Sequence, residues 1–274
     1  MEVDEEINTI RAVFLKGEKL GSDISFFFDS EIQFNFENSK YSAVYFEGVS
    51  AGYSKKCFDL SEGKLVTWRL LLSRQDTKKY IKQALLGLGW SLGGVVFHPS
   101  LIASIKKDDQ WRVYDGLGYR YGLFHRRKII RSQVAPTFIP EEFLHAFFQG
   151  IGRSLWYVSK GSLTQLTTLI MLFPLRHLAD LWRGVGVAVT FVGCVSYDEL
   201  CALAVSSETH IKDFKAGVFI ASESKEFNEK ETLAMRGLAS QLLIDSNNIS
   251  ALVLKNNLQK KNYYEQIQEI TCLF

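Results

Sequence analysis

Apolar residues recur every three or four positions along most of this chain. Ile7, Ile10, Val13 and Phe14 form one such stripe ahead of Gly17, which predicts an N-terminal helix. Thr77-Lys78-Lys79-Tyr80-Ile81 opens a long apolar helix predicted to end near Pro99. Residues 111–124 read as a further helix, weakened by its glycines. Between Ser22 and Ser39 the rhythm changes. Ile24, Phe26 and Phe28 alternate, as do Ile32, Phe34 and Phe36, so this stretch is ambiguous between helix and strand.

The second half carries clearer start signals. Pro140-Glu141-Glu142 puts a proline and then two acids in a first turn, followed by Phe143, Ala146, Phe147, Gly150, Ile151, Ser154 and Leu155 at helical spacing. Ser162 is placed to cap a helix over residues 163–173, and Pro174 opens another that runs to about Gly193. Ser196-Tyr197-Asp198-Glu199 has the form of a capping box ahead of Leu200, Leu203 and Ala204. Asn228 caps a segment over residues 229–243, and the polar last thirty residues read as a surface helix. The predicted fold is mainly α, a multi-helical single domain over residues 1–274. Residues 1–75 stand out as an N-terminal subregion, with a small irregular or β element near residues 22–40.

Glycine pairs interrupt these helices. Gly87-Leu88-Gly89, Gly116-Leu117-Gly118, Gly150-Ile151-Gly152 and Gly184-Val185-Gly186 follow one another at 29, 34 and 34 residues. Each glycine inside a helix costs about 1 kcal/mol, so something must compensate. Two accounts stand open: close packing where helices cross, or a groove left for a long ligand. The spacing invites comparison with tetratricopeptide units, but nothing beyond the glycines repeats, which argues against strict repeats.

Composition changes this picture little. With 32 basic and 30 acidic side chains the net charge is +2, hydrophobic residues make up 47%, and mean hydropathy is near zero. That balance gives no reason to expect nucleic acid as a partner. The aromatics, with 20 Phe, 11 Tyr and 5 Trp, suit a thick core or an apolar pocket. Cys57, Cys194, Cys201 and Cys272 have no metal-binding spacing and read as buried thiols. The acidic start, Met1-Glu2-Val3-Asp4-Glu5-Glu6, is not a signal peptide, and a cytoplasmic location is expected. Residues 83–105 lack charge, but His98-Pro99 cuts them, leaving a stretch too short for a transmembrane span.

Candidate chemistry is sparse. Gly89-Trp90-Ser91-Leu92-Gly93 matches the G-x-S-x-G of a nucleophile elbow, and Asp180 or Asp198 with His210 would complete the order of a serine hydrolase. Yet the residues before Ser91 read as helix, where an elbow requires a strand. The five histidines form no HxxxH or HExxH, so no metal is expected. Gly116-Leu117-Gly118 lacks a preceding strand, so neither a dinucleotide nor any other cofactor is expected. Arg153–Asp180 and Asp115–His125 are candidate buried pairs tying helices together.

One stretch resembles a known family. Gln149-Gly150-Ile151-Gly152-Arg153-Ser154-Leu155-Trp156-Tyr157-Val158, then Phe173-Pro174 and Ala179-Asp180-Leu181-Trp182-Arg183-Gly184-Val185-Gly186, are similar to segments of the UnbL-type proteins. These form a family of unknown function whose genes often lie beside enediyne polyketide synthases. Tyr114-Asp115-Gly116-Leu117-Gly118-Tyr119 with Gly122-Leu123-Phe124-His125, Phe46-Glu47-Gly48-Val49-Ser50-Ala51-Gly52 and Phe14-Leu15-Lys16-Gly17 extend the similarity over residues 7–240. The chain departs from the family at Arg120, where a histidine is usual, and at Ser91, where alanine is usual. The resemblance implies work on a long hydrophobic polyene, with a polyketide synthase or sibling biosynthetic proteins as partners. The residues expected to carry catalysis are Asp115, His125, Arg153 and Asp180. Tyr119, Arg120, Gln149, Gly150, Gly152, Trp156, Trp182, Gly184 and Gly186 are expected to bind substrate. A non-catalytic scaffold or polyene carrier is the alternative.

Overall fold

The computed structural model describes residues 3–23, 41–60, 78–94, 105–193 and 195–224, with Trp68, Leu71, Ile102 and Ala103 between them. Ten α-helices make up these residues: α1 (Val3–Gly21), α2 (Ser42–Leu60), α3 (Ile81–Leu92), α4 (Lys107–Phe124), α5 (Arg126–Ser132), α6 (Leu144–Val158), α7 (Leu163–Ile170), α8 (Leu178–Val192), α9 (Tyr197–Ser206) and α10 (Ile211–Ser224). No strand occurs among them. The alternating stretch near residues 22–40, the segment after Asn228, the last thirty residues, Cys194 and Cys272 lie outside the described residues.

The capping signals hold. Ser162 accepts a hydrogen bond from the Gln165 amide at the head of α7. Ser196 and Glu199 close a reciprocal box at the head of α9. Proline sets an extended residue before α6 and α8, and a 3-10 turn, Glu141–Phe143 or Leu175–His177, leads into each. α3 ends at Gly93, earlier than its apolar run suggests. α2 is legible only once packing is known, because its three small residues Gly48, Ser50 and Gly52 blur any apolar stripe.

The long helices α1, α2, α3, α4, α6, α8 and α10 pack each on the next, in chain order. The glycines explain why. Residues two apart in a helix point about 200° apart, so a G-x-G step clears both opposite faces. Gly116 lies against the Leu86 carbonyl of α3 while Gly118 lies against Phe147 of α6. Gly150 meets Asp115 of α4 and Gly152 meets Leu181 of α8; Gly184 meets Gln149 of α6 and Gly186 meets Phe214 of α10. A β-carbon at any of these positions would overlap a neighbour's backbone carbonyl. The interfaces are reciprocal and the helices run parallel: Gly17 and Gly21 of α1 rest on Tyr45 and Val49 of α2, while Gly48 and Gly52 rest on Phe14 and Glu18. In the second half the short helices α5, α7 and α9 carry the chain back between successive long ones.

The spacing of 34 residues is therefore a structural repeat after all, of one glycine-bearing helix and its return. It escapes a search for tetratricopeptide signatures because those helices pair antiparallel, whereas these stack parallel.

Candidate functional site

The residue before the first glycine of each step occupies an equivalent place on successive helices, and in three of them it is polar. Asp115, Gln149 and Arg183 are all buried, and they join side by side. Gln149 donates through Nε2 to Asp115 Oδ2 at 2.5 Å, and Arg183 Nε donates to Gln149 Oε1 at 2.8 Å. Arg183 continues to Asp180 Oδ1 at 2.5 Å. His145 and His177 reach the same carboxylate through Nδ1, at 2.9 and 3.4 Å. Burial alone would raise the Asp180 carboxyl. The Arg183 charge and the two histidines hold it instead well below the usual carboxylate range.

The residue after the second glycine points the other way, into a cavity of about 340 Å3. Trp90, Tyr119 and Arg153 stand at this register on α3, α4 and α6. One turn further on, Leu123 and Tyr157 line the same space, and Phe191 of α8 completes that wall. The N-terminal half of α1 forms the opposite wall with Ile7, Ile10 and Phe14, and α2 contributes Val44 and Glu47. Leu15 and Phe124, 48% and 64% exposed, make an apolar lip, with Asp4, Asn8, Arg11 and Lys160 around it.

The floor is polar. Arg153 is bound to Asp115 behind it and lies 3.8 Å from Glu47 Oε1. Its guanidinium also sits 5.0 Å over the Tyr119 ring. Burial pushes the Tyr119 and Tyr157 phenols well above their ordinary range, so both stay protonated, and their hydroxyls interact with each other. Glu47 is 4% exposed and makes no hydrogen bond among the described residues. Burial pushes its carboxyl up to about 7; Arg153 opposes that rise and Asp115 adds to it.

Tyr119 and Arg153, among the residues singled out in the sequence, thus line the cavity, while Asp115 and Gln149 lie behind it. The expected pairs are exchanged: Arg153 binds Asp115 rather than Asp180, and Asp180 binds Arg183. His125 is exposed past the end of α4, tilted 4.9 Å from the Tyr121 ring, and joins neither the ladder nor the cavity. Arg120 is half-buried, donates to the Trp90 carbonyl at 3.2 Å and stacks over Trp90 and Phe124. Trp156 and Trp182 are core residues, Trp182 edge-on to Phe214. Gly150, Gly152, Gly184 and Gly186 sit within helix interfaces and open no groove. Ser91 lies inside α3 with its hydroxyl donated to the Leu88 carbonyl at 2.7 Å, so G-x-S-x-G here is a helical turn rather than an elbow. Among the described residues no cluster of histidine, cysteine and carboxylates is arranged to hold a metal ion, and no helix is long and apolar enough to cross a membrane.

Sequence reasoning missed Glu47, Tyr157 and the wall supplied by α1 as site elements. A signal for the first was present: Glu47-Gly48 repeats the acid-then-glycine of Asp115-Gly116.

The profile of the family described as "Protein of unknown function (DUF1702)" matches residues 1–269. The chain belongs to the DUF1702 family. No curated protein and no solved structure matches it. The family's description carries no chemistry, so the functional reading rests on the cavity itself.

Proposed function

We propose that this DUF1702 protein binds a hydrophobic small molecule in the cavity between α1 and the inner faces of α2, α3, α4, α6 and α8. The observation that carries the reading is the composition of that cavity: apolar walls, an apolar lip with charged and polar residues outside it, and a separate set of polar groups at the floor. Its volume, about 340 Å3, falls in the range of small-molecule sites. The similarity of Gly152-Arg153-Ser154-Leu155-Trp156 and Ala179-Asp180-Leu181-Trp182-Arg183-Gly184-Val185-Gly186 to UnbL-type segments makes a polyene from an iterative polyketide synthase our choice of ligand. Processing of that polyene is the activity we favour. A carrier role is the second reading, favoured by the ladder from Asp115 to Asp180, whose polar groups are tied to one another.

The methyl ester of a fluorescent polyene fatty acid, which carries no charge, tests the proposal. We expect saturable binding, abolished by Val44→Phe, which fills the cavity from α2 while helical content stays unchanged. Undiminished binding by a folded Val44→Phe protein would move the site elsewhere. Leucine in place of Gly150 or Gly184 is no test of the pocket, since the side chain would collide with backbone.

A further inference from the structure

We propose that Glu47 is the catalytic acid–base of this cavity, acting on a neutral unsaturated carbonyl compound whose oxygen takes a hydrogen bond from the Tyr119–Tyr157 pair. The inference rests on the reading of the cavity as a small-molecule site and adds to it a reacting residue and a ligand class. Three observations lead to it.

Glu47 lines the cavity, is 4% exposed, and has Arg153 at 3.8 Å as its nearest charged neighbour among the described residues. A buried carboxyl without a hydrogen bond is costly, and such a group facing an apolar cavity is poised to meet a ligand. Its raised pKa, about 7, suits proton transfer near neutrality. The groups facing it from other helices are Arg153 and Tyr157 of α6, Asp115 and Tyr119 of α4, and, through Tyr157, Glu6 of α1.

The second observation concerns charge. Arg153 is already compensated by Asp115, so among the described residues the floor has no spare cation to hold a carboxylate. An anionic head group would face Glu47 and Asp115 together. A neutral carbonyl fits.

The third is a donor count. The Tyr119 and Tyr157 hydroxyls interact with each other and make no other hydrogen bond among the described residues, and that mutual contact can engage only one phenol proton of two. The other remains for a ligand oxygen.

The step balances without a co-reactant. Glu47 carboxylate removes a proton from the carbon between the carbonyl and an isolated C=C. The C–H electron pair forms a new C=C to the carbonyl carbon, and the carbonyl π pair moves to oxygen, where the phenol donates. Glu47, now the acid, returns the proton to the far alkene carbon, and the C=O re-forms. The double bond has moved into conjugation.

The test uses a ten-carbon β,γ-unsaturated methyl ketone, with growth of the conjugated enone's ultraviolet absorbance as readout. The wild-type protein should convert it faster than buffer and catalyse exchange of its α-hydrogens in D2O, with kcat rising through about pH 7. Glu47→Gln should lose about 100-fold or more of the rate with binding of the polyene probe retained, Glu47→Asp should keep part of it, and Tyr157→Phe should lower kcat more than it raises KM. Wild-type protein that binds the ketone but neither shifts the double bond nor exchanges its hydrogens overturns the proposal and leaves the binding site standing. Failure to bind ketone or polyene removes both. Full activity in Glu47→Gln assigns any observed rate to another group.

Discussion

Glu47 and Asp180 show how two buried carboxylates of one fold come to opposite states. Asp180 receives Arg183 and two histidines and is held ionised. Glu47 shares Arg153 with Asp115, which stands closer, and burial dominates. Because Glu47 titrates higher in the folded than in the unfolded chain, folding takes up a proton between its ordinary value of 4.5 and about 7. Its contribution to stability is fully present below the lower value and is lost as pH rises through the upper one. Denaturant unfolding should therefore show wild-type protein losing stability relative to Glu47→Gln between pH 5 and pH 8. The slope is at most about 1.4 kcal/mol per pH unit. A constant difference across that range would mean that Glu47 stays ionised.

At the scale of elements, glycine acts as a spacer that lets two helix backbones touch. Gly150 faces the Asp115 carbonyl and Gly184 the Gln149 carbonyl, neither of which can move without its whole helix. Gly94, by contrast, faces only the guanidinium end of Arg120, the far end of a flexible side chain rather than backbone. Gly150→Ala and Gly184→Ala should each cost about 1–3 kcal/mol or more, whereas Gly94→Ala should stay within roughly 0.5 kcal/mol. Thermal melts of the three variants check this. Equal losses would mean that the helices can separate at little cost, contrary to the reciprocal contacts. The same geometry accounts for the helix that pattern reading passed over. α2 presents Gly48 to α1 and Ser50 to α3, where the Ser50 hydroxyl donates to the Ala84 carbonyl at 2.6 Å. Small residues on two faces leave a weak apolar stripe, and only the neighbours on both sides make the segment helical.

Across the whole molecule, protection should follow position in the stack. α4, α6 and α8 each have a glycine-tight neighbour on either side. The first half of α1 has the cavity on one side and is tied at its start by the exposed Lys160–Asp4 pair at 3.4 Å. Amide hydrogen exchange should be slowest at the centres of α4, α6 and α8 and faster before Phe14 in α1. Occupation of the cavity by the polyene probe should slow that first half selectively. Uniform exchange along α1, unchanged by ligand, would show that it is not the movable wall.

Helix class and the starts of α6 to α9 were legible in the sequence because proline, capping serines and the 3.6-residue rhythm act within a few residues of one another. The glycine pairs were visible too, and so was the alternative of tight packing. Which carboxylate would meet which arginine was not. Asp115 and Arg153 are 38 residues apart and Glu47 and Arg153 further still, and nothing local relates them. Their pairing follows from the order and parallel sense of the stack, which brings equivalent turns of successive helices to one level. The cavity likewise exists only between helices. Its floor is polar because Tyr119 and Arg153, at one register on α4 and α6, turn inward opposite Glu47 of α2. No stretch of chain carries that arrangement by itself, so the sequence supplied the spacing and the tertiary structure decided which side chains share a site.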